Sequence, residues 1–218
     1  MLFWLDPLLI VFLAITFVIS ISLHEYAHAR ASDKLWDPTP RIQWRLTPNP
    51  LVHIDPLWFL MIFIIQFGRW RPVQVNPHYY KNTLRDELLV ALAWPATNII
   101  LAFIATAFVL FYIRFTWVTG LFEPDMIIRF WVIFAQLNIA LAVFNMIPVP
   151  PLDWYRIIKY LFPSAWFWLE KNTKIIGLVF LWLLLLPTPA RWGIISIITT
   201  VSQVLYWIMH AFWAIIIF

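Results

Sequence analysis

The sequence predicts an all-α fold: a polytopic membrane helix bundle with about five transmembrane helices and one short re-entrant or interfacial segment. Three observations predict it. The 218 residues are 63% hydrophobic and only 12% charged, against about 45–50% and about 25% in soluble domains, and the mean hydropathy is +0.81. The charges are also clustered, leaving uncharged stretches of roughly the 20 residues that a bilayer core requires. Finally, there is no cysteine, which excludes a disulfide scaffold, a thiolate metal centre and a cysteine nucleophile. So few charges cannot cover a water-facing surface, so a soluble enzyme and a disordered chain are excluded as well.

The first expected span is Pro7–Ala29, bounded by Asp6 and Arg30. Leu88–Ile113 is the second and Phe130–Leu152 the third. A fourth runs from about Ser164 to Leu186, beginning amphipathic with Glu170, Lys171 and Lys174 and stopped by Pro187 and Pro189. Trp192–Phe218 is the fifth. Leu57–Phe67 is apolar but too short to cross, and it reads as the re-entrant or interfacial piece. Two stretches remain outside the membrane: Ala31–Pro56, rich in Pro, Asp and Arg, and Arg71–Asn82, which contains Pro-Val-Gln-Val-Asn-Pro. No repeat, low-complexity tract or cleavable amino-terminal signal is expected, and residues 1–218 read as one domain.

Basic residues orient the spans. Twelve of the 15 Lys and Arg residues lie between the first and second spans or follow the third, leaving Arg114, Arg129 and Arg191. The positive-inside rule then places the amino terminus outside, the carboxyl terminus inside, and the inner ends of the first and third spans at the cytoplasmic edge.

The first span ends His24-Glu25-Tyr26-Ala27-His28. Residues four apart share a helix face, so His24 and His28 can grip one ion through two imidazole nitrogens. Glu25 lies beside that face, where a carboxylate can take a proton from water. Ionisable groups on an apolar spanning helix are costly, about 2.5–3.5 kcal/mol each, which favours function over a polar helix end. A catalytic zinc needs a third protein ligand and one open position. The candidate is Asp153, which follows the prolines at 148, 150 and 151 that break the third span near the same membrane surface. The alternative for Asp153 is an N-cap for the segment Trp154–Tyr160.

From about Leu23 to Lys159 the chain resembles the site-2 protease family of intramembrane zinc metalloproteases, in particular its small prokaryotic members. The resemblance rests on His-Glu-Tyr-Ala-His-Ala at 24–29, Asp-Pro-Thr-Pro at 37–40 and Arg-Leu-Thr-Pro-Asn-Pro-Leu-Val-His-Ile-Asp-Pro at 45–56. Pro-Val-Gln-Val-Asn-Pro at 72–77, Pro-Ala-Thr-Asn at 95–98 and Phe-Asn-Met-Ile-Pro-Val-Pro-Pro-Leu-Asp at 144–153 match as well. It implies one zinc ion bound by His24, His28 and Asp153, with Glu25 as catalytic base. It also implies cleavage of peptide bonds in or beside membrane-spanning segments, with membrane-protein substrates and the lipid bilayer as partners and no nucleic acid. The expected location is a prokaryotic plasma membrane, with the site near the cytoplasmic face.

Asn98 and Asn145 are amides within apolar spans. Either can hydrogen-bond a developing oxyanion or an unwound substrate backbone, or simply a neighbouring helix. His53 reads as a solvated loop residue, and His78 and His210 as structural.

The departures from the family pattern share one form. Tryptophan stands at Trp36, Trp44, Trp58, Trp94 and Trp154, and also at Trp70, where the family favours glycine; the chain has 15 Trp and 4 Gly. The expectation is that UGA codons read as glycine in the source were translated as tryptophan. Two rivals to the hydrolase are a catalytically inactive relative that holds client helices and, behind it, a metal transporter. The latter would require more intramembrane carboxylates or histidines than the chain has.

Overall fold

The computed structural model describes residues 6–55, 71–119, 125–150 and 152–217. The segment Leu57–Phe67, with Trp58, and Trp70 lie outside the described residues. Among those residues the fold is all-α, as expected. Helix α1 is Pro7–Lys34, and two short helices follow, α2 (Thr39–Ile42) and α3 (Pro50–His53). After a 3-10 turn at Pro77–Tyr79 come α4 (Thr83–Thr119), α5 (Asp125–Asn145), α6 (Tyr155–Leu161), α7 (Pro163–Leu185) and α8 (Pro189–Ile217).

Four of these helices, α1, α4, α5 and α8, are long and apolar enough to cross a membrane, rather than five. The fourth expected crossing does form a helix, α7, but Glu170, Lys171 and Lys174 occupy its first half. The uncharged remainder is well short of the roughly 20 residues a crossing takes.

Local chemistry sets the helix ends. Asp6 caps α1 by accepting from the Leu8 N–H at 3.0 Å, and Pro7 fills the first helical position, where its missing N–H is not needed. At the other end α1 runs past Ala29 to Lys34 and closes in a Schellman turn. The Trp36 N–H donates to the Asp33 carbonyl and the Asp37 N–H to the Ser32 carbonyl, both at 3.2 Å. Helix α2 closes the same way, with Trp44 N–H on Arg41 at 3.1 Å and Arg45 N–H on Pro40 at 2.8 Å. Helix α5 stops at Asn145, earlier than the expected Leu152, because the residue before a proline is pushed out of helical conformation and Pro148 and Pro150 follow closely. The chain then turns tightly, and the Trp154 N–H donates back to the Asn145 carbonyl at 3.2 Å.

Helices α1, α4 and α5 pack pairwise, and α8 lies against α4 and α5. Ala102 and Ala105 of α4 and Ala135 and Ala142 of α5 are wholly buried, and small residues of this kind allow membrane helices to approach closely. The Trp213 indole donates to the Phe103 carbonyl at 3.0 Å and fastens α8 to α4. Asp6 and Arg129 pair at 3.0 Å, so α1 and α5 begin at the same end of the bundle and run parallel. Their far ends therefore meet, which is where His24, His28 and Asp153 lie.

Candidate metal centre

His24 and His28 project from one face of α1, with ring centroids 5.0 Å apart. The Asp153 carboxylate approaches from the turn after α5, its Oδ2 lying 3.4 Å from His28 Nε2 and 3.7 Å from His24 Nε2. One ligand atom from each of the three residues lies within 4.8 Å of the others, a group that could hold a metal ion. Tetrahedral ligands at about 2.0–2.1 Å from a small divalent ion sit roughly 3.3 Å from one another. The two imidazole–carboxylate distances fit that spacing with little movement. Two imidazoles and one carboxylate are also a donor set that suits such an ion.

The chain orients the His28 ring from behind. His28 Nδ1 lies 2.9 Å from the Val90 carbonyl on α4. A carbonyl only accepts, so Nδ1 carries the proton and Nε2 keeps its lone pair for the group. The N-cap position of α6 is held by Trp154, whose side chain makes no cap hydrogen bond, so Asp153 stands one residue before the cap. Its carboxylate faces the histidines.

Glu25 is buried beside the same group, with Oε1 3.5 Å from His24 Nε2. Its other oxygen, Oε2, accepts the Val73 N–H at 2.7 Å. That amide belongs to the run Arg71–Asn76, which carries no helix and crosses the end of α1. The sequence did not disclose this contact. The run is anchored again where the Asn76 N–H donates to Asp37 at 2.7 Å and where the Arg71 N–H donates to the His53 carbonyl at 2.9 Å.

Asp37 is the main residue that motif reading left without a role. It accepts from the Ser32 hydroxyl at 2.7 Å, the Thr39 N–H at 2.9 Å and the Asn76 N–H, and Tyr80 meets Ser32 at 2.6 Å. Its signal was present in Asp-Pro-Thr-Pro, since an Asp two residues before an amide commonly accepts from it. His53 corrects an expectation: it is wholly buried rather than solvated, donating from Nε2 to the Thr47 carbonyl at 2.7 Å. Burial, reinforced by the Arg45 charge, pushes the His53 imidazole below its usual range, and the Thr47 bond opposes this.

The two amides differ. The Asn145 side chain donates to the Leu141 carbonyl of its own helix at 3.1 Å. Asn98 is wholly buried, and neither its oxygen nor its nitrogen has a hydrogen-bond partner among the described residues. His78 is exposed, and His210 packs against Tyr206 and Trp207, both away from the group.

A polytopic helical protein with a His-His-Asp group that could hold a metal ion at one end of its bundle is the class that fold and site define. Relatives narrow it. The chain is 39% identical over 155 residues to "Putative zinc metalloprotease YwhC" of Bacillus subtilis, covering 71% of this chain and 70% of that protein. It is 31% identical over 183 residues to "Putative zinc metalloprotease Rip2" of Mycobacterium tuberculosis, covering 80% and 67%. A shorter match, 34% over 103 residues, links it to "Putative zinc metalloprotease MJ0611" of Methanocaldococcus jannaschii, covering 46% and 47%. The chain belongs to this metalloprotease family. No family model matches it. No solved structure matches it either.

Proposed function

We propose that the protein is an intramembrane zinc metalloendopeptidase of the site-2 protease type, hydrolysing peptide bonds in or near transmembrane segments of other membrane proteins. The observation that carries this reading is the convergence of His24, His28 and Asp153 within 4.8 Å, at the end of a bundle of membrane-length helices. In this reading those three side chains hold one zinc ion, which supplies Lewis acidity toward water and a peptide carbonyl. Glu25 takes a proton from the attacking water and returns it to the departing amine. One water is consumed, one C–N bond breaks, and a carboxyl group and an amine form. The Val73 amide holds one Glu25 oxygen, which leaves the other directed at the metal side.

A helical substrate keeps its carbonyls in its own hydrogen bonds and must be opened first. The Pro72–Pro77 run beside Glu25 is the edge along which an opened strand would add. Asn98, with its uncommitted buried amide, is assigned to the oxyanion or to the unwound substrate backbone. Asn145 is assigned to holding the turn that presents Asp153. The basic-residue distribution supports placing the site near the cytoplasmic face of a prokaryotic plasma membrane.

The second reading, a non-catalytic relative that holds client helices, draws on one observation: the Trp94 ring lies 4.1 Å from that of His24 and crowds the group. Cells carrying the protein and cells carrying Glu25→Gln separate the two readings. Membrane-protein stubs present with Glu25 should fall by about 10²–10⁴-fold with Gln, as the loss of a general base predicts, while zinc content stays equal. Equal stub profiles with zinc retained favour the client-holding reading.

A further inference from the structure

Two turns in this protein are built on a residue that their backbone disfavours. Trp36, at φ 76°, and Trp44, at φ 57°, are the positive-φ non-glycine residues among the described residues. Each sits at the left-handed position of a Schellman turn, the first residue beyond the cap of α1 and of α2. A Cβ there crowds the following carbonyl, which is why glycine is the usual occupant. Packing does not compensate, because the two residues are 69% and 84% exposed. The Lys81 ammonium lies over the Trp36 ring, 5.1 Å from the centroid.

Trp94 is mismatched in the opposite way. It is wholly buried on α4 beside the His24 ring, and its indole N–H has no acceptor among the described residues. A buried donor without an acceptor is unfavourable in an apolar interior. Trp154 differs: its φ is −62°, and nothing in its backbone asks for glycine.

Three positions are thus ill-suited to their residue for two unrelated physical reasons, and the residue is tryptophan each time. Composition carries the matching skew, 4 Gly against 15 Trp, where glycine averages about 7%. Independent substitution does not repeatedly select the largest side chain, but one codon read in two ways does. UGA lies one base from the tryptophan codon UGG and one base from the glycine codon GGA. We infer that residues 36, 44 and 94 are glycine in the natural protein, encoded by UGA, and that glycine at 94 leaves open a recess against His24 that receives an apolar side chain of the segment to be cut. The recess lies between α1 and α4, where the indole stands in this sequence. Its use by a substrate rests on the hydrolase reading above; the glycine assignment does not.

The gene and the native protein test the first part. UGA at codons 36, 44 and 94, with an intact mass that carries glycine there, is expected; UGG codons or a tryptophan mass overturns it. For the recess, a Trp36→Gly/Trp44→Gly chain is compared with and without Trp94→Gly. Zinc content is measured beside cleavage of membrane-spanning reporter peptides that carry Ala, Leu or Phe next to the cut. Trp94→Gly should favour Leu and Phe over Ala by about tenfold or more, the scale of an apolar pocket, with zinc unchanged. Equal cleavage of the series overturns the recess and leaves the hydrolase standing. No cleavage of any peptide by the zinc-loaded glycine chain overturns the hydrolase reading and the recess with it.

Discussion

Three donors converge on the Asp37 carboxylate, from Ser32, Thr39 and Asn76, and they tie the end of α1, the start of α2 and the run over Glu25 to one point. Burial works against its charged form, but the bonds from Thr39, Asn76 and Ser32 outweigh it and hold the carboxyl below the usual aspartate range. The folded-state value is therefore lower than the unfolded one. Its stabilisation is fully present above about pH 4 and is lost as pH falls through the folded value. Asp37→Asn should flatten the acid limb of thermal stability in detergent. Asp37→Ala, which strands three donors, should cost about 2–3 kcal/mol. An acid limb unchanged in Asp37→Asn would move that stabilisation to other carboxylates.

Among the elements, the extended run 71–76 is the one that brings a backbone N–H to Glu25 among the described residues. Val73→Pro deletes that donor and keeps the run extended, since proline suits that conformation. A hydrogen bond to a charged group contributes about 1.5–3 kcal/mol. On the proposed mechanism kcat should therefore fall about tenfold or more, with zinc content and KM nearly unchanged. A change confined to KM would instead make the run a substrate-binding edge that does not position Glu25. Helix α7 teaches a related lesson about elements. Its helical period is sound, yet charges at 170, 171 and 174 remove it from the crossings.

For the molecule as a whole, a metal bound by the proposed His24, His28 and Asp153 group would cross-link α1 and the turn after α5, segments far apart in sequence. A ligand that binds only the folded state stabilises it by about 4 kcal/mol at 1,000 times its Kd. Chelation should therefore lower the unfolding midpoint of the purified protein, and readdition of zinc should restore it. In Asp153→Ala the midpoint should no longer respond to either. A chelator response that persists in that variant would place the ion elsewhere.

The all-α membrane class, the approximate positions of the helices and the pairing of His24 and His28 on one face were legible in the chain, because each depends on local composition and period. The start of α1 at Asp6-Pro7 and the end of α5 before its prolines follow from capping chemistry and from restrictions on residues that neighbour one another. Positions 36 and 44 stood out in the sequence as tryptophan where the family pattern favours glycine; that both are left-handed turn positions became visible only with their backbone angles. Packing decided the rest: that the Asp153 carboxylate comes up to the histidines, that His53 is buried, that Val73 reaches Glu25, and that Asn98 is enclosed without a hydrogen-bond partner among the described residues. The Asp153 and Val73 contacts join segments separated by many residues, and no local propensity encodes such a contact. It exists only once α1, α4 and α5 have closed on one another and excluded the surroundings.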